Sequence, residues 1–195
     1  MIHSSAIVED GAAIDPSANV WHFAHIRSGS VIESKVSLGK GVYVDCHVKI
    51  SEGSRVQNEV SIYNGVSIGK WCFVGPRVVF TNDMYPRSGV KHWDIIPTKI
   101  DDGVSIGAGA VIICGIELMP FCMVGAGSIA TESIQPFTLA YGAPARPKNY
   151  ICACGSTKFD LSSRPISFVL DCCKTRLSSE VLNLGIFYSD RLRNV

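Results

Sequence analysis

Counting by six from Ile2, the chain places an aliphatic residue or Phe at fourteen consecutive steps: Ile2, Val8, Ile14, Val20, Ile26, Ile32, Leu38, Val44, Ile50, Val56, Ile62, Ile68, Val74 and Phe80. The pattern resumes at Ile100 and runs through Ile106, Ile112, Leu118 and Val124. A second pattern rides on the first. Four residues after such a position comes a small or β-branched residue, as at Ala6, Ala12, Ala18, Ala24, Ser30, Val48, Ser54, Val66, Ala110 and Ser128. The next position often opens a turn with Gly or a polar residue, as in LGKGVY, ISEGSR and IGAGAV. A six-residue period matches neither an α-helix nor a heptad. It matches a short strand plus a corner, so that three units close one triangular coil. Stacked coils then pair their backbones as parallel strands. The predicted fold class is an all-β solenoid. Its large aliphatics fill the interior, where burial of each is worth roughly 1.5–3 kcal/mol. They are core residues, not site residues.

The interruption carries more about function. From Phe80 to Ile100 the step is 20 residues, 14 more than the period. The excess leaves the wall as a loop, residues 81–99, TNDMYPRSGVKHWDIIPTK. A solenoid gains no core from such a loop, and loops on rigid scaffolds are where binding and catalysis concentrate. Tyr85, His92 and Trp93 give it aromatic surface, and Asn82, Asp83, Arg87 and Lys91 give it directed polar groups. Residues one coil apart stack on one face. This places Asn82 above Asn64 and Asn64 above Cys46, Asp83 two coils above His47, and Arg77 above Glu59. The expectation is a polar ladder beside the root of the loop, read as a site because ladder and loop coincide.

Composition narrows the partners. Of 195 residues 47% are hydrophobic and 18% charged, with a net charge of +1, so the chain is well cored and nothing points to nucleic acid or an anionic membrane. The start, MIHSSAIVEDGAAID, has neither a basic n-region nor an apolar h-region, and the expected location is cytoplasmic. Residues 109–130 are nearly uncharged, broken by Glu117; length alone would permit a membrane span, but the repeat accounts for them as stacked core. Cys46, Cys72, Cys114 and Cys122 show no paired spacing and are read as reduced thiols.

The hexad of aliphatic, Gly, two variable residues, small residue and one more resembles that of the left-handed β-helix acyltransferases, over residues 2 to about 147. The segments FVGPRVVFTNDMYPRS, DDGVSIGAGAVIICGI, VGAGSIATESI and YGAPAR, with Trp93, Pro97–Thr98 and the early VWHFAHI, are similar to the sugar-nucleotide N-acetyltransferases. These acetylate the 3-amino group of UDP-2-acetamido-3-amino-2,3-dideoxyglucuronate or of dTDP-3-amino sugars, for lipopolysaccharide or S-layer glycans. The resemblance implies the left hand, a homotrimer, and an active site in the cleft between neighbouring helices. It also implies acetyl-CoA as co-substrate, lying on Gly107, Ala108, Gly125 and Ala126 with Arg146 on its phosphates, and no metal needed for transfer. Turn formation explains the same glycines and alanines equally well. The resemblance points to Asn82 as the residue holding the amine, with His47 and Asp83 as bases should one be needed. Asn64, Glu59, Arg77, Tyr85, Arg87, Trp93, His22 and His25 are the candidate substrate contacts. His22 and His25 are equally readable as packing residues.

Residues 148–195 follow the hexads as a Cys-containing tail on the acyltransferase domain, residues 1–147. Relatives of this kind carry a Cys-x-Cys-Gly element resembling a zinc knuckle. Cys152 and Cys154 fit it, whereas Cys172 and Cys173 are adjacent, which is awkward for one tetrahedral ion, so zinc and free thiols stand as alternatives. Leu177, Val181, Leu184 and Tyr188 are spaced for a short amphipathic helix. Three rival functions remain. An O-acetyltransferase on a sugar or serine hydroxyl would need a His base. A γ-class carbonic anhydrase would need three zinc-binding histidines, and His3, His22, His25, His47 and His92 lack that spacing. An ice-binding solenoid would show Thr ladders and no long loop.

Overall fold

The structure, a computed structural model, describes residues 1–193. Each hexad forms one short strand and one corner, and every third strand pairs in parallel to build one of three faces. The first face runs from Ile7–Val8 to Ile129–Ala130, the second from Ala13–Ile14 to Glu117–Leu118, and the third begins at Asn19–Val20. The periodicity thus delivers the parallel β-helix it predicts. Strand partners lie one coil apart, as Ser61 with Tyr43. Across the insertion the partners are Val79 with Val111, Val66 with Thr98 and Phe73 with Ser105. These are 32 residues apart instead of 18, and the difference of 14 equals the insertion, so the loop leaves the register of the wall intact.

The core is a column of stacked aliphatics in which Leu38, Val44, Ile50, Ile62 and Ile106 have no exposed surface. The preceding small position, two residues earlier, also points inward, as at Val36, Val42 and Val48. Where it is Ser, the hydroxyl bonds to backbone: Ser30 Oγ donates to Arg27 O at 2.7 Å and Ser54 Oγ to Gly69 O at 2.7 Å. Ile2 and Val8 are 49% and 38% exposed because no coil lies beneath the first one.

Corners depend on chirality. The residue three after most interior aliphatics takes a left-handed backbone, often as Gly, but also as Phe23 (φ 58), His47 (φ 60), Glu59 (φ 58), Trp71 (φ 55) and Arg77 (φ 59). This conformation costs an L-residue about 1–2 kcal/mol. Several of these side chains lie over a glycine one coil below: His47 over Gly29, Glu59 over Gly41, Trp71 over Gly53 and Phe121 over Gly103.

The third face continues beyond the hexads. Thr138–Gly142 adds parallel to Met123–Val124, and Ala145–Ile151 turns back antiparallel against it. Two helices follow, α1 (Asp171–Arg176) and α2 (Ser179–Arg193). Val181, Leu184, Tyr188 and Leu192 of α2 pack on Phe121, Phe137 and Phe168. The predicted helical spacing is therefore met from Val181 onward, while Leu177 caps the end of α1. No helix among the described residues is long and apolar enough to cross a membrane, and residues 109–130 form wall strands.

Candidate active site

The loop leaves the prism at the corner between the first and second faces, where Val79–Phe80 ends. Thr81 anchors it, its Oγ1 accepting the Cys114 N–H at 2.9 Å. Next comes Asn82, half-buried, whose Nδ2 donates to Asn64 O at 3.1 Å and whose own carbonyl accepts the Ile96 N–H at 3.0 Å. The Asn82 amide is thus oriented from below and its backbone is tied to the returning limb of the loop. Donation through Nδ2 leaves Oδ1 to accept from a ligand. Asn64 Nδ2 reaches Cys46 Sγ at 3.6 Å, which completes the column Asn82, Asn64, Cys46.

Asp83 is turned to loop structure on one side, since its Oδ1 accepts the Tyr85 N–H at 2.8 Å. Arg87 Nη1 donates to Pro86 O at 3.2 Å. Asn82, Asp83, Pro86, Arg87, Val90 and Trp93 together line an open recess at the loop root. Tyr85 is 83% exposed. Beneath, Asp45 accepts the N–H groups of Cys46 at 2.8 Å and Asn64 at 3.2 Å. Burial pushes its pKa up, but these N–H groups and the Tyr43 hydroxyl more than offset that and hold it below the usual carboxylate range. Asp45 therefore stays ionised and ties together the coils that carry Cys46 and Asn64 below the loop. It escaped the sequence reading because an Asp at a turn carries no signal of which N–H groups it will accept.

His47 lies exposed at this same corner, one coil below Gly65 and two below Asp83, with its ring over Gly29. Glu59 and Arg77 differ from the expectation that they stand beside the loop root. They occupy the corner between the third and first faces, where they line a second recess with Lys40, Asn58, Pro76 and Ala108. The physical reason is that they lie one hexad before the ladder of Asn64 and Asn82, and one hexad turns the chain through a whole face. His22 belongs to this second corner, beside Trp21, Lys40 and Asn58. His25 lies on the first face between the two corners, with Nε2 2.9 Å from Glu9 Oε1.

Above the second recess stand Gly107, Ala108, Gly125 and Ala126. A Cβ on Gly107 would run into the backbone of Ala126, and one on Gly125 into Tyr141, so coil stacking already demands both glycines. Ala108 and Ala126 are exposed. Beside them Gly109 and Gly127 are left-handed with open space where a Cβ would stand. These two were missed, because a corner glycine beside an empty surface reads like any other in the chain. Arg146 lies near this edge with Nη2 3.4 Å from Glu132 Oε1. The loop corner and this small-residue corner bound opposite edges of the first face.

The remaining cysteines separate into two groups. Cys72, Cys114 and Cys122 are buried free thiols, and burial pushes Cys72 up to about 12. Cys152, Cys154, Cys172 and Cys173 come together in the tail, away from the loop root. A further cleft, between residues 164–168 and α2, is lined by Pro165, Ile166 and Leu192; its Arg164 and Arg193 are committed to backbone carbonyls.

No protein-family model matches the chain. Over 59 residues it is 49% identical to the dTDP-3-amino-3,6-dideoxy-alpha-D-galactopyranose 3-N-acetyltransferase of Aneurinibacillus thermoaerophilus, a match covering 30% of this chain and 31% of that enzyme. The chain thus spans about a third of the length of that curated relative. A Bacillus cereus acetyltransferase crystal structure aligns over 96% of this chain and 99% of its own, with a TM-score of 0.56 and 17% identity. A hexapeptide-repeat acetyltransferase of Vibrio cholerae, solved with acetyl coenzyme A, aligns over 61% of this chain and 69% of its own, with a TM-score of 0.55 and 23% identity. These structures share the left-handed parallel β-helix. The chain thus has the parallel β-helix fold of these acetyltransferase structures, and over one stretch it is similar to an amino-sugar N-acetyltransferase.

Proposed function

We propose that this protein is an acetyl-CoA-dependent N-acetyltransferase acting on the amino group of a nucleotide-linked amino sugar, in the making of a surface glycan such as lipopolysaccharide. The observation that carries the reading is Asn82, an oriented amide at the root of the loop inserted into the hexads, with Oδ1 left to accept from an amine. In support stand the likeness to a 3-amino-sugar N-acetyltransferase and the acetyl coenzyme A bound by the Vibrio cholerae structure of the same fold.

In the proposed reaction the sugar amine attacks the thioester carbonyl, the C–S bond breaks, CoA leaves as the thiol, and the amine gives up one proton. A sugar amine beside electron-withdrawing substituents resembles an α-amino group, with a pKa of about 7.7–8.0. A useful share is then neutral without a strong base, and positioning supplies roughly 7–11 kcal/mol in well-oriented pairs. Asn cannot be a base, so it suits this scheme: Asn82 holds the amine while Tyr85, Arg87 and Trp93 close over the nucleotide sugar. Asp83 and His47 are the groups to receive the proton. CoA lies along the open small-residue corner of Ala108, Gly109, Ala126 and Gly127, with Arg146 near its phosphates.

Within one chain the loop corner and the small-residue corner lie on opposite edges of the first face. A homotrimer in which flat faces pack about a three-fold axis brings the loop edge of one copy to the small-residue edge of the next. The catalytic site in this reading is shared between two chains.

Thiol release from acetyl-CoA, measured against UDP- and dTDP-linked amino sugars and their hydroxyl counterparts, tests the reading. The expected result is turnover of one amino sugar, falling about 10²-fold in Asn82→Ala, the scale of a lost positioning contact. Turnover of a hydroxyl acceptor alone, abolished in His47→Ala, would overturn it in favour of O-acetylation with a His base.

A further inference from the structure

Four of the eight cysteines stand outside the acetyl-transfer site, and the fold collects them from two separated segments. Cys152 and Cys154 sit in the tight turn after Ala145–Ile151, where the Gly155 N–H closes on Cys152 O at 2.7 Å. Cys172 and Cys173 sit in α1. All four Sγ atoms lie within 4.8 Å of one another. We propose that these four thiolates bind one zinc ion, which fastens the C-terminal tail to the third face of the solenoid.

The distances fit a tetrahedral ion. A Zn–S bond of about 2.3 Å sets sulfurs about 3.8 Å apart along the edges of a tetrahedron. The Cys152–Cys154, Cys152–Cys172 and Cys154–Cys172 pairs measure 3.5, 3.8 and 3.8 Å. Wider separations, up to 4.8 Å, close by rotation of a side chain. The adjacent pair, awkward on spacing alone, is divided by environment: Cys173 faces the interior and is fully buried, while Cys172 stays partly exposed.

The surroundings suit bound thiolates. Backbone N–H groups of Thr157 and Leu170 donate to Cys152 Sγ at 3.3 Å and Cys173 Sγ at 3.5 Å. Hydroxyls of Ser156 and Thr157 lie 3.1 Å from Cys154 Sγ and 3.5 Å from Cys172 Sγ. Such donors hold metal ligands in place and spread the negative charge of a four-thiolate set. The all-sulfur tetrahedron selects a soft tetrahedral ion, zinc or iron. Zinc is the proposal because one ion needs no redox chemistry to fasten two segments.

The tail also needs a fastener. α1 has only six residues and is too short to hold itself as a helix. Residues 160–170 contain no strand or helix, yet Phe168 must be delivered to Phe137, where the rings stack with centroids 4.5 Å apart. The Ala153 N–H bonds Phe168 O at 2.7 Å, so the cysteine turn and the aromatic plug are neighbours. A metal tying Cys152 and Cys154 to α1 fixes that geometry and the start of α2 behind it.

The experiment uses the full chain purified without chelator. Elemental analysis should find one zinc per chain, and replacing it with Co²⁺ should give the charge-transfer and d–d absorption of tetrahedral cobalt thiolate. Cys172→Ser, on the partly exposed side, should weaken zinc by more than the roughly 100-fold that losing an outer partner costs. Should that variant fail to fold, chelator on the unaltered chain gives the same answer: it should lower the melting temperature and make these four thiols reactive. Iron in place of zinc, metal far below one per chain with no cobalt–thiolate bands, or a Cys152–Cys172 disulfide in the native chain would each overturn the proposal. None of these readings depends on acetyl transfer.

Discussion

At the residue scale the main demand is the left-handed corner. Gly53 (φ 73) and Gly41 (φ 66) share this backbone but face different neighbours. A Cβ on Gly53 would stand 2.5 Å from the Trp71 ring, whereas one on Gly41 would meet the carboxyl end of the exposed Glu59. A flexible carboxylate moves aside; a ring set between coils does not. Gly41→Ala should therefore cost mainly the backbone strain, about 1–2 kcal/mol, and Gly53→Ala should cost more. Denaturant unfolding of the two variants checks the order; equal losses would mean that Trp71 yields as easily as Glu59. This is also where the sequence was least legible. The interior aliphatics are visible because one position in six repeats its chemistry. The left-handed position repeats only its backbone, and residues as unlike as His47, Trp71 and Arg77 fill it, so no side-chain pattern marks it.

At the element scale α2 is held by an aromatic face and one polar anchor. The Tyr188 hydroxyl donates to Asp102 Oδ2 at 2.9 Å, on the corner that leads into the third face. Burial, followed by the nearby Asp102 and Asp101, pushes the Tyr188 phenol up to about 12. Between an unfolded value of about 10 and that folded value, the unfolded chain sheds a proton that the folded one keeps. The docking contribution is thus complete below about pH 10 and is lost as pH rises toward 12. Tyr188→Phe should lower stability by about 1 kcal/mol at neutral pH. The gap to the parent should shrink between pH 10 and 12, as followed by urea midpoints at each pH. An unchanging gap would show that the phenol does not titrate through docking. The helix itself was readable from Val181, Leu184 and Tyr188 at helical spacing. Its docking partners were not, because Phe121 and Phe137 belong to distant hexads and nothing local in the chain ties them to residues 181–192.

At the scale of the whole molecule, the length of the insertion was readable to the residue, since 14 extra residues reappear as the shift between 18 and 32 in strand pairing. Which candidate side chains share a recess was less so: a step of one hexad moves a residue to another edge of the prism, and Glu59 and Arg77 went with it. That displacement becomes an argument about assembly. Asn82 lies at one edge of the first face and Arg77 at the other, so a site using both must draw them from different copies. Asn82→Ala and Arg77→Ala should each strip activity from an assembly made of one variant alone. Mixed assemblies from the two variants, co-expressed with different tags and purified through both, should regain activity, because some interfaces pair an intact Asn82 edge with an intact Arg77 edge. In a trimer carrying two chains of one variant and one of the other, one interface in three has both, so the expected recovery is about a third of the parent rate. Mixed assemblies as inactive as either parent variant would place both residues in a site within a single chain, and the shared-site reading would fall while the solenoid and its loop stayed as described.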